Sequence, residues 1–252
     1  MRNQFGRAAL RVRRPQTLCL PSFKQVIATP AAPASAPKGL DHFKCYEAER
    51  PNFTQRTVGL RDQFGDARAR VIKTRQLCNP VRKNAGKVVN PRAHLVCYET
   101  RDLGVVPFQQ REVRVTNQFG LRQLSARKPA SLCVPSLKRR GTAAPTGSNP
   151  TNVLDHFRCY DVKTQRTPKT VRLVDQFGRT TTKVVQVVRL CNPVRKNNEP
   201  VRRAQAHLVC YGIRDAQPFQ PLSVRVRNQF GLASLRVRRP QTLCLPSFKQ
   251  LT

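Results

Sequence analysis

The sequence predicts an all-β protein: tandem antiparallel β-sandwich or barrel-like domains, each an internal pseudo-twofold pair of units of roughly fifty residues. Three observations predict it. A block that opens His-x-x-Cys-Tyr, passes Gln-Phe-Gly and closes Leu-Cys-x-Pro is written four times. Apolar and basic residues alternate with a period of two around each Gln-Phe-Gly, the mark of strands with one buried and one wet face. No window carries an apolar stripe at helical spacing.

The four units open at His42-Cys45-Tyr46, His94-Cys97-Tyr98, His156-Cys159-Tyr160 and His207-Cys210-Tyr211, and close at Cys78, Cys133, Cys191 and Cys244. Units one and three share Leu-Asp-His-Phe and Leu-Cys-Asn-Pro-Val-Arg-Lys-Asn. Units two and four share Ala-His-Leu-Val-Cys and Leu-Cys-(Val/Leu)-Pro-Ser-x-Lys. The true repeat is therefore an odd–even pair. Residues 2–25 match 227–250 at 22 of 24 positions, so the chain opens inside an even-type unit. The expectation is a fragment of a longer chain. Residues 26–39 and 139–153 are rich in Ala, Pro, Ser, Thr and Gly and read as semi-extended linkers. The resulting division is a truncated half-repeat at 1–25, a linker at 26–39, a β-repeat domain at 40–138, a linker at 139–153 and a second β-repeat domain at 154–252.

Within a unit, His-x-x-Cys-Tyr is the first strand. Runs such as Val113-Arg114-Val115, Val171-Arg172-Leu173, Val224-Arg225-Val226 and Leu235-Arg236-Val237-Arg238 flank Gln-Phe-Gly as a hairpin. Gly65, Gly120, Gly178 and Gly231 are placed to supply a positive φ, and Phe64, Phe119, Phe177 and Phe230 to plug the core. Proline after the second Cys is expected to end the last strand. About three strands per unit follow. Before Gln-Phe-Gly stands Asp62 or Asp175 in odd units, Asn117 or Asn228 in even ones, an exchange that points to backbone capping. Asp41 and Asp155 are candidate partners of the neighbouring histidines.

Strand alternation turns each His away from its Cys and puts the Cys on the apolar face with Phe43, Leu95, Phe157 or Leu208. The regular two-per-unit spacing predicts disulfides joining first and last strands: Cys45 with Cys78, Cys97 with Cys133, Cys159 with Cys191, Cys210 with Cys244. Cys19 is left unpaired, its mate belonging to the missing half-unit. Zinc on His plus two Cys, and free buried thiols, are the alternatives. Zinc ligands usually come in Cys-x2–4-Cys pairs, and none occurs. No metal, cofactor or catalytic residue is expected. Every His and Cys belongs to the repeat, and no phosphate loop, Gly-x-Ser-x-Gly or His-Glu-x-x-His is present.

The net charge is +34, with Arg outnumbering Lys 34 to 13. Alternation places Arg114, Arg172, Arg225, Arg227, Arg236 and Arg238 on the solvent face of the hairpins. They are the candidates for binding polyanions: nucleic acid, lipopolysaccharide or anionic polysaccharide. Other copies of the chain are a further candidate partner. Neither a run long enough to span a membrane nor an N-terminal signal peptide is visible. Disulfides persist in oxidising compartments, which points to the cell exterior.

The alternation of LDHFKCY, DQFG and LCNPVRKN with AHLVCY, NQFG and LCVPS resembles a bacterial tandem-repeat domain of unknown function found in predicted secreted and surface proteins. That resemblance covers nearly all of the chain outside the linkers. It implies a bacterial, exported, β-rich, non-catalytic protein. The expected function is a disulfide-stapled structural or adhesive repeat module of the cell exterior. The alternative is a basic polyanion-binding module.

Overall fold

A computed structural model describes residues 37–252, and the backbone of two short strands near the N-terminus. Those two, β1 (Arg2–Asn3) and β2 (Gly6–Arg7), pair antiparallel and belong to a compact unit of their own, Met1–Ala31. The remainder, Ala32–Thr252, is one compact unit.

Each Gln-Phe-Gly closes a hairpin as the turn chemistry requires. Unit one comprises β3 (His42–Glu49), β4 (Arg56–Asp62) and β5 (Gly65–Lys83). Unit two comprises β6 (His94–Asp102), β7 (Arg111–Asn117) and β8 (Gly120–Arg140). Unit three has two strands, β9 (His156–Asp175) and β10 (Gly178–Lys196), because its first strand runs into the hairpin without a break. Unit four comprises β11 (His207–Asp215), β12 (Leu222–Asn228) and β13 (Gly231–Leu251). The first turn residue faces a glycine in all four hairpins, as Asp62↔Gly65 and Asn117↔Gly120 illustrate. Those glycines have φ of 120°, 102°, 141° and 97°, where a side chain would be strained.

Eight strands close a ring in the order β3, β5, β6, β8, β9, β10, β11, β13 and back to β3, every neighbour antiparallel. The barrel-like alternative is thus the one formed. The period of two sends one face of each strand inward, and that face carries the cysteines. Phe43, Leu95, Phe157 and Leu208 lie beside them and pack with Leu40, Ala93, Leu154 and Ala206 into one apolar core.

The other face is also buried. Tyr46, Leu77, Val96, Tyr98, Leu132 and Val134 belong to a second core, roofed by the hairpins of units one and four. Tyr160, Leu190, Val209, Tyr211 and Leu243 belong to a third, roofed by the hairpins of units two and three. Each roof therefore draws on both odd–even pairs. The linker-based division at 139–153 does not separate two cores, and β8 is extended as far as Arg140.

Proline does not end the last strands. Pro80, Pro135, Pro193 and Pro246 lie inside β5, β8, β10 and β13. Each sits where its strand changes partner. On one edge β5 pairs with β6 up to Cys78↔Leu95, then with β9 from Arg82↔Val174. Likewise β8 leaves β9 at Cys133↔Phe157 and joins β12 at Leu137↔Arg227. β10 passes from β11 to β4, and β13 from β3 to β7, across Pro193 and Pro246. A residue without an N–H is least costly in such a gap in the ladder.

The shared cores predict that residues 40–138 alone do not form a stable monomer. Expressed by itself, that fragment should bind a hydrophobic dye or dimerise. A folded monomer with a cooperative melt would show that one pair suffices.

Candidate functional site

The barrel interior is organised around sulfur. Disulfides join Cys45–Cys78, Cys97–Cys133, Cys159–Cys191 and Cys210–Cys244, closing loops 33, 36, 32 and 34 residues apart in sequence. Each bridges residues directly opposite on neighbouring strands. Between bridges, sulfurs meet at 3.8 Å for Cys78 and Cys97, 3.7 Å for Cys133 and Cys159, 4.0 Å for Cys191 and Cys210, and 3.8 Å for Cys45 and Cys244. Eight sulfurs thus form a closed ring. The pairing follows the sequence expectation and leaves none of these eight cysteines as a thiolate for the zinc alternative. The ring closure had no sequence signal. Cys19 lies outside the described residues.

One step along the strands from the ring, the inward positions turn polar. Glu47, Gln76, Glu99, Ser131, Asp161, Arg189 and Gln241 line a cavity of about 510 Å³ with Cys97 in its wall. Its acids are matched by cations: Glu99 meets Arg75 at 2.5 Å, Asp161 meets Arg189 at 2.8 Å and Glu47 meets Arg239 at 3.0 Å. The three carboxylates are thus neutralised, while Lys128 in the same lining has no ion-pair partner among the described residues.

Each hairpin tip clasps a unit two places away. Phe177 packs edge-on against Tyr46, Phe230 against Tyr98, Phe64 against Tyr160 and Phe119 against Tyr211, with centroids 4.9–5.1 Å apart. The residue before Gln-Phe-Gly caps the turn, its Oδ1 accepting from the Phe amide at 2.8–2.9 Å. This is the capping expected of the Asp/Asn exchange. The same side chain also reads the tyrosine. In one set, Tyr46 Oη donates to Asp175 Oδ2 at 2.8 Å and Tyr160 Oη to Asp62 Oδ2 at 2.6 Å. In the other, Asn117 Nδ2 donates to Tyr211 Oη at 3.0 Å and Asn228 Nδ2 to Tyr98 Oη at 2.9 Å.

A third partner follows the alternation. Asn79 and Asn192 donate to the aspartates, whereas Ser247 and Ser136 accept from the asparagines. Lys138 and Lys249 donate to Asn79 and Asn192 and lie 4.1 and 4.2 Å from the centroids of Phe177 and Phe64. Burial pushes these lysines down, Lys138 to about 7 and Lys249 to about 8. Burial raises all four tyrosine hydroxyls, Tyr98 to about 12.

The histidines do not use the expected aspartates. Asp41 accepts from the backbone amides of Val89 and Asn90, and Asp155 from those of Arg202 and Arg203, pinning the inter-unit loops. The rings of His42 and His156 instead meet Gln118 and Gln229, tip residues of even hairpins. Burial lowers every histidine, His42 to about 4 and His207 to about 3, with Lys83 and Lys249 adding to it.

The six candidate arginines do not form one site. Arg114 and Arg172 lie on β7 and β9, the other four on the unit-four hairpin. Arg114, Arg172, Arg236 and Arg238 are exposed, as alternation requires. Arg225 and Arg227 are half-buried, contrary to expectation. Arg225 Nη1 donates to Ser234 Oγ at 2.8 Å, and Arg227 is flanked by Leu137 and Leu232. Arg225 stands directly opposite Arg139 across β12 and β8. Arg238 is paired with Glu49 at 2.8 Å.

Comparison with known proteins finds one family. The model of a repeat of unknown function (DUF7450) matches residues 1–135 and again residues 105–195. No curated protein and no solved structure matches the chain.

Two outcomes follow from this geometry. Asp175→Asn removes the acceptor for Tyr46 and Asn79 and should cost about 1–3 kcal/mol in urea unfolding, the penalty for buried polar groups left unpaired. Adding Asn79→Val and Val81→Ser, which copy the even-unit residues Val134 and Ser136, should recover part of it. Equal stability of the single variant and the parent would dismiss the trio as a determinant. The histidines set the acid limb. Their folded values lie below the unfolded value of about 6.5, so the unfolded chain binds more protons as pH falls. Their contribution is intact above about 6.5 and is lost as pH drops toward the folded values, about 4 for His42 and about 3 for His207. His207→Gln should flatten that limb in pH-dependent melting.

Proposed function

The chain belongs to this family of repeats of unknown function, and on that premise we propose that it is a non-catalytic, disulfide-stapled structural module of the bacterial cell exterior, serving in surface structure or adhesion. The closed ring of four disulfides carries this reading. Sequence-local loops of 32–36 residues each contribute roughly 3–4 kcal/mol on the chain-entropy model. The loops do not overlap along the sequence, so their entropic terms are nearly independent. A core that depends on them suits an oxidising compartment. The cysteines of residues 37–252 are spent on these bridges, and the histidines are held neutral by burial.

A second reading, polyanion binding, is favoured by the net charge of +34 and by the cross-strand neighbours Arg225 and Arg139. Arginine forks onto sulfate, carboxylate and phosphate alike.

The first reading is tested by making the protein in a bacterial host with and without an export signal. Exported protein should be soluble, carry four disulfides by non-reducing mass spectrometry and resist protease. Reduction should abolish the cooperative melt. Reduced protein that melts within a few degrees of the oxidised form would remove the reason for placing it outside the cell.

A further inference from the structure

Like charges stand directly opposite one another at two equivalent places. In units three and four, Lys183 of β10 opposes Arg214 of β11, with Thr170 of β9 on its other side. In units one and two, Arg70 of β5 opposes Arg101 of β6, with Thr57 of β4 on its other side. All six side chains are exposed. Side chains opposed in this way lie about 5 Å apart at Cβ, and like charges there are destabilising.

Nothing nearby relieves either pair. Among the described residues, none of the four cations has an ion-pair partner. The next residues along, Asp102 and Asp215, point to the opposite face and are bound there, to Arg158 and Lys44, each at 2.6 Å. Two residues before Arg101, Glu99 is engaged by Arg75 and Lys73. The equivalent residue before Arg214 is Gly212, so the second place lacks even that carboxylate. There the cations line a groove of about 630 Å³ with Arg166 and Lys169, and no acid lines it. Where an even unit's last strand meets the first strand of unit one, the equivalent pair is Arg236 with Glu49, of opposite sign. Cations also oppose one another between pairs, Arg195 with Arg61 and Arg225 with Arg139, but there Asp66 engages Arg61 and Ser234 engages Arg225. The unrelieved like-charge pair recurs at the junction inside each odd–even pair.

We propose that each odd–even pair carries one anion-binding site, Thr57-Arg70-Arg101 in the first and Thr170-Lys183-Arg214 in the second, and that each takes an acidic group of a sulfated or uronic polysaccharide. This rests on the polyanion reading above and gives it a location that the six sequence-chosen arginines do not. Two cations and a hydroxyl converge on one acidic group, and the sugar acid supplies the charge that the protein withholds. Nucleic acid is disfavoured because single strands are held by stacking on aromatic rings. The chain has no Trp, its four tyrosines are buried, and the lining of the groove includes no aromatic side chain.

The test is calorimetric titration of the whole chain with a heparin oligosaccharide, polygalacturonate and a duplex DNA of equal charge, at ~50 and ~200 mM salt. Lys183→Gln with Arg214→Gln should weaken heparin binding about tenfold, the scale of one or two lost charge-assisted contacts. Arg70→Gln with Arg101→Gln should weaken it less, because only the second site lies in a groove lined by two further cations, Arg166 and Lys169. The control, Arg111→Gln with Arg127→Gln, removes two exposed charges elsewhere and should change affinity less than about twofold. The site variants should melt at or above the parent temperature, since a repulsion has been removed. A control that loses as much as the site variants would show diffuse attraction, overturning the sites while leaving polyanion binding intact. No heparin binding by the parent at ~50 mM salt would overturn both. Tighter binding of the duplex than of either polysaccharide would overturn the ligand class.

Discussion

The structure depends on one constraint: eight strands are buried on both faces. A strand offers two faces because successive side chains alternate, and most antiparallel sheets give one of them to water. Here the first strand of each unit carries Cys on one face and Tyr on the other, and both are buried. The inner face closes on itself as a barrel. The outer face needs a cover, and among the described residues the hairpins supply it. A hairpin long enough to cover the ring must leave its own unit and cross onto another. The partner changes at the four prolines and the mixing of the two pairs both follow from that.

The clasp between hairpin tip and tyrosine shows why the repeat comes in two types. A buried tyrosine hydroxyl can donate or accept. Odd tyrosines donate to Asp and even ones accept from Asn, and the third member of each trio has the complementary chemistry. Either set is satisfied within itself, and exchanging one member would set donor against donor. The two types are also placed so that each clasp joins like to like: unit one with three, unit two with four. This lets the chain sort equivalent tips among nearly identical sockets.

Much of this was legible from residues alone. The hairpins, the glycine at each turn, the apolar side of each cysteine and the four bridges are local or nearest-strand properties, and a period of two with regular spacing is enough to read them. The clasps were not read, although the repeat holds the signal. Across the four units, Asp before Gln-Phe-Gly goes with Asn directly after the second Cys, and Asn goes with Ser three residues after it. Covariation of that kind among internal copies reports contact as an alignment would. Proline was misread because its effect depends on which edge of the strand is paired, which local sequence does not state. Asp41 and Asp155 were misassigned because a loop amide competes well for a carboxylate and leaves no mark in composition. The candidate arginines were chosen by alternation alone, which gives exposure but not what stands opposite.

The ring of sulfurs has a consequence for assembly. Each cysteine has two neighbouring sulfurs, one bonded and one 3.7–4.0 Å away. Only register separates them: bonded residues are directly opposite, whereas Cys97 faces Gln76 and Cys78 faces Leu95. Joining the wrong neighbours asks a strand to accommodate a two-residue offset. That keeps the same side chains inward and so is invisible to the hydrophobic pattern. Oxidation therefore acts as a proofreader for an error that burial alone cannot detect, locking the first and last strands of each unit at the one alignment in which two thiols come face to face.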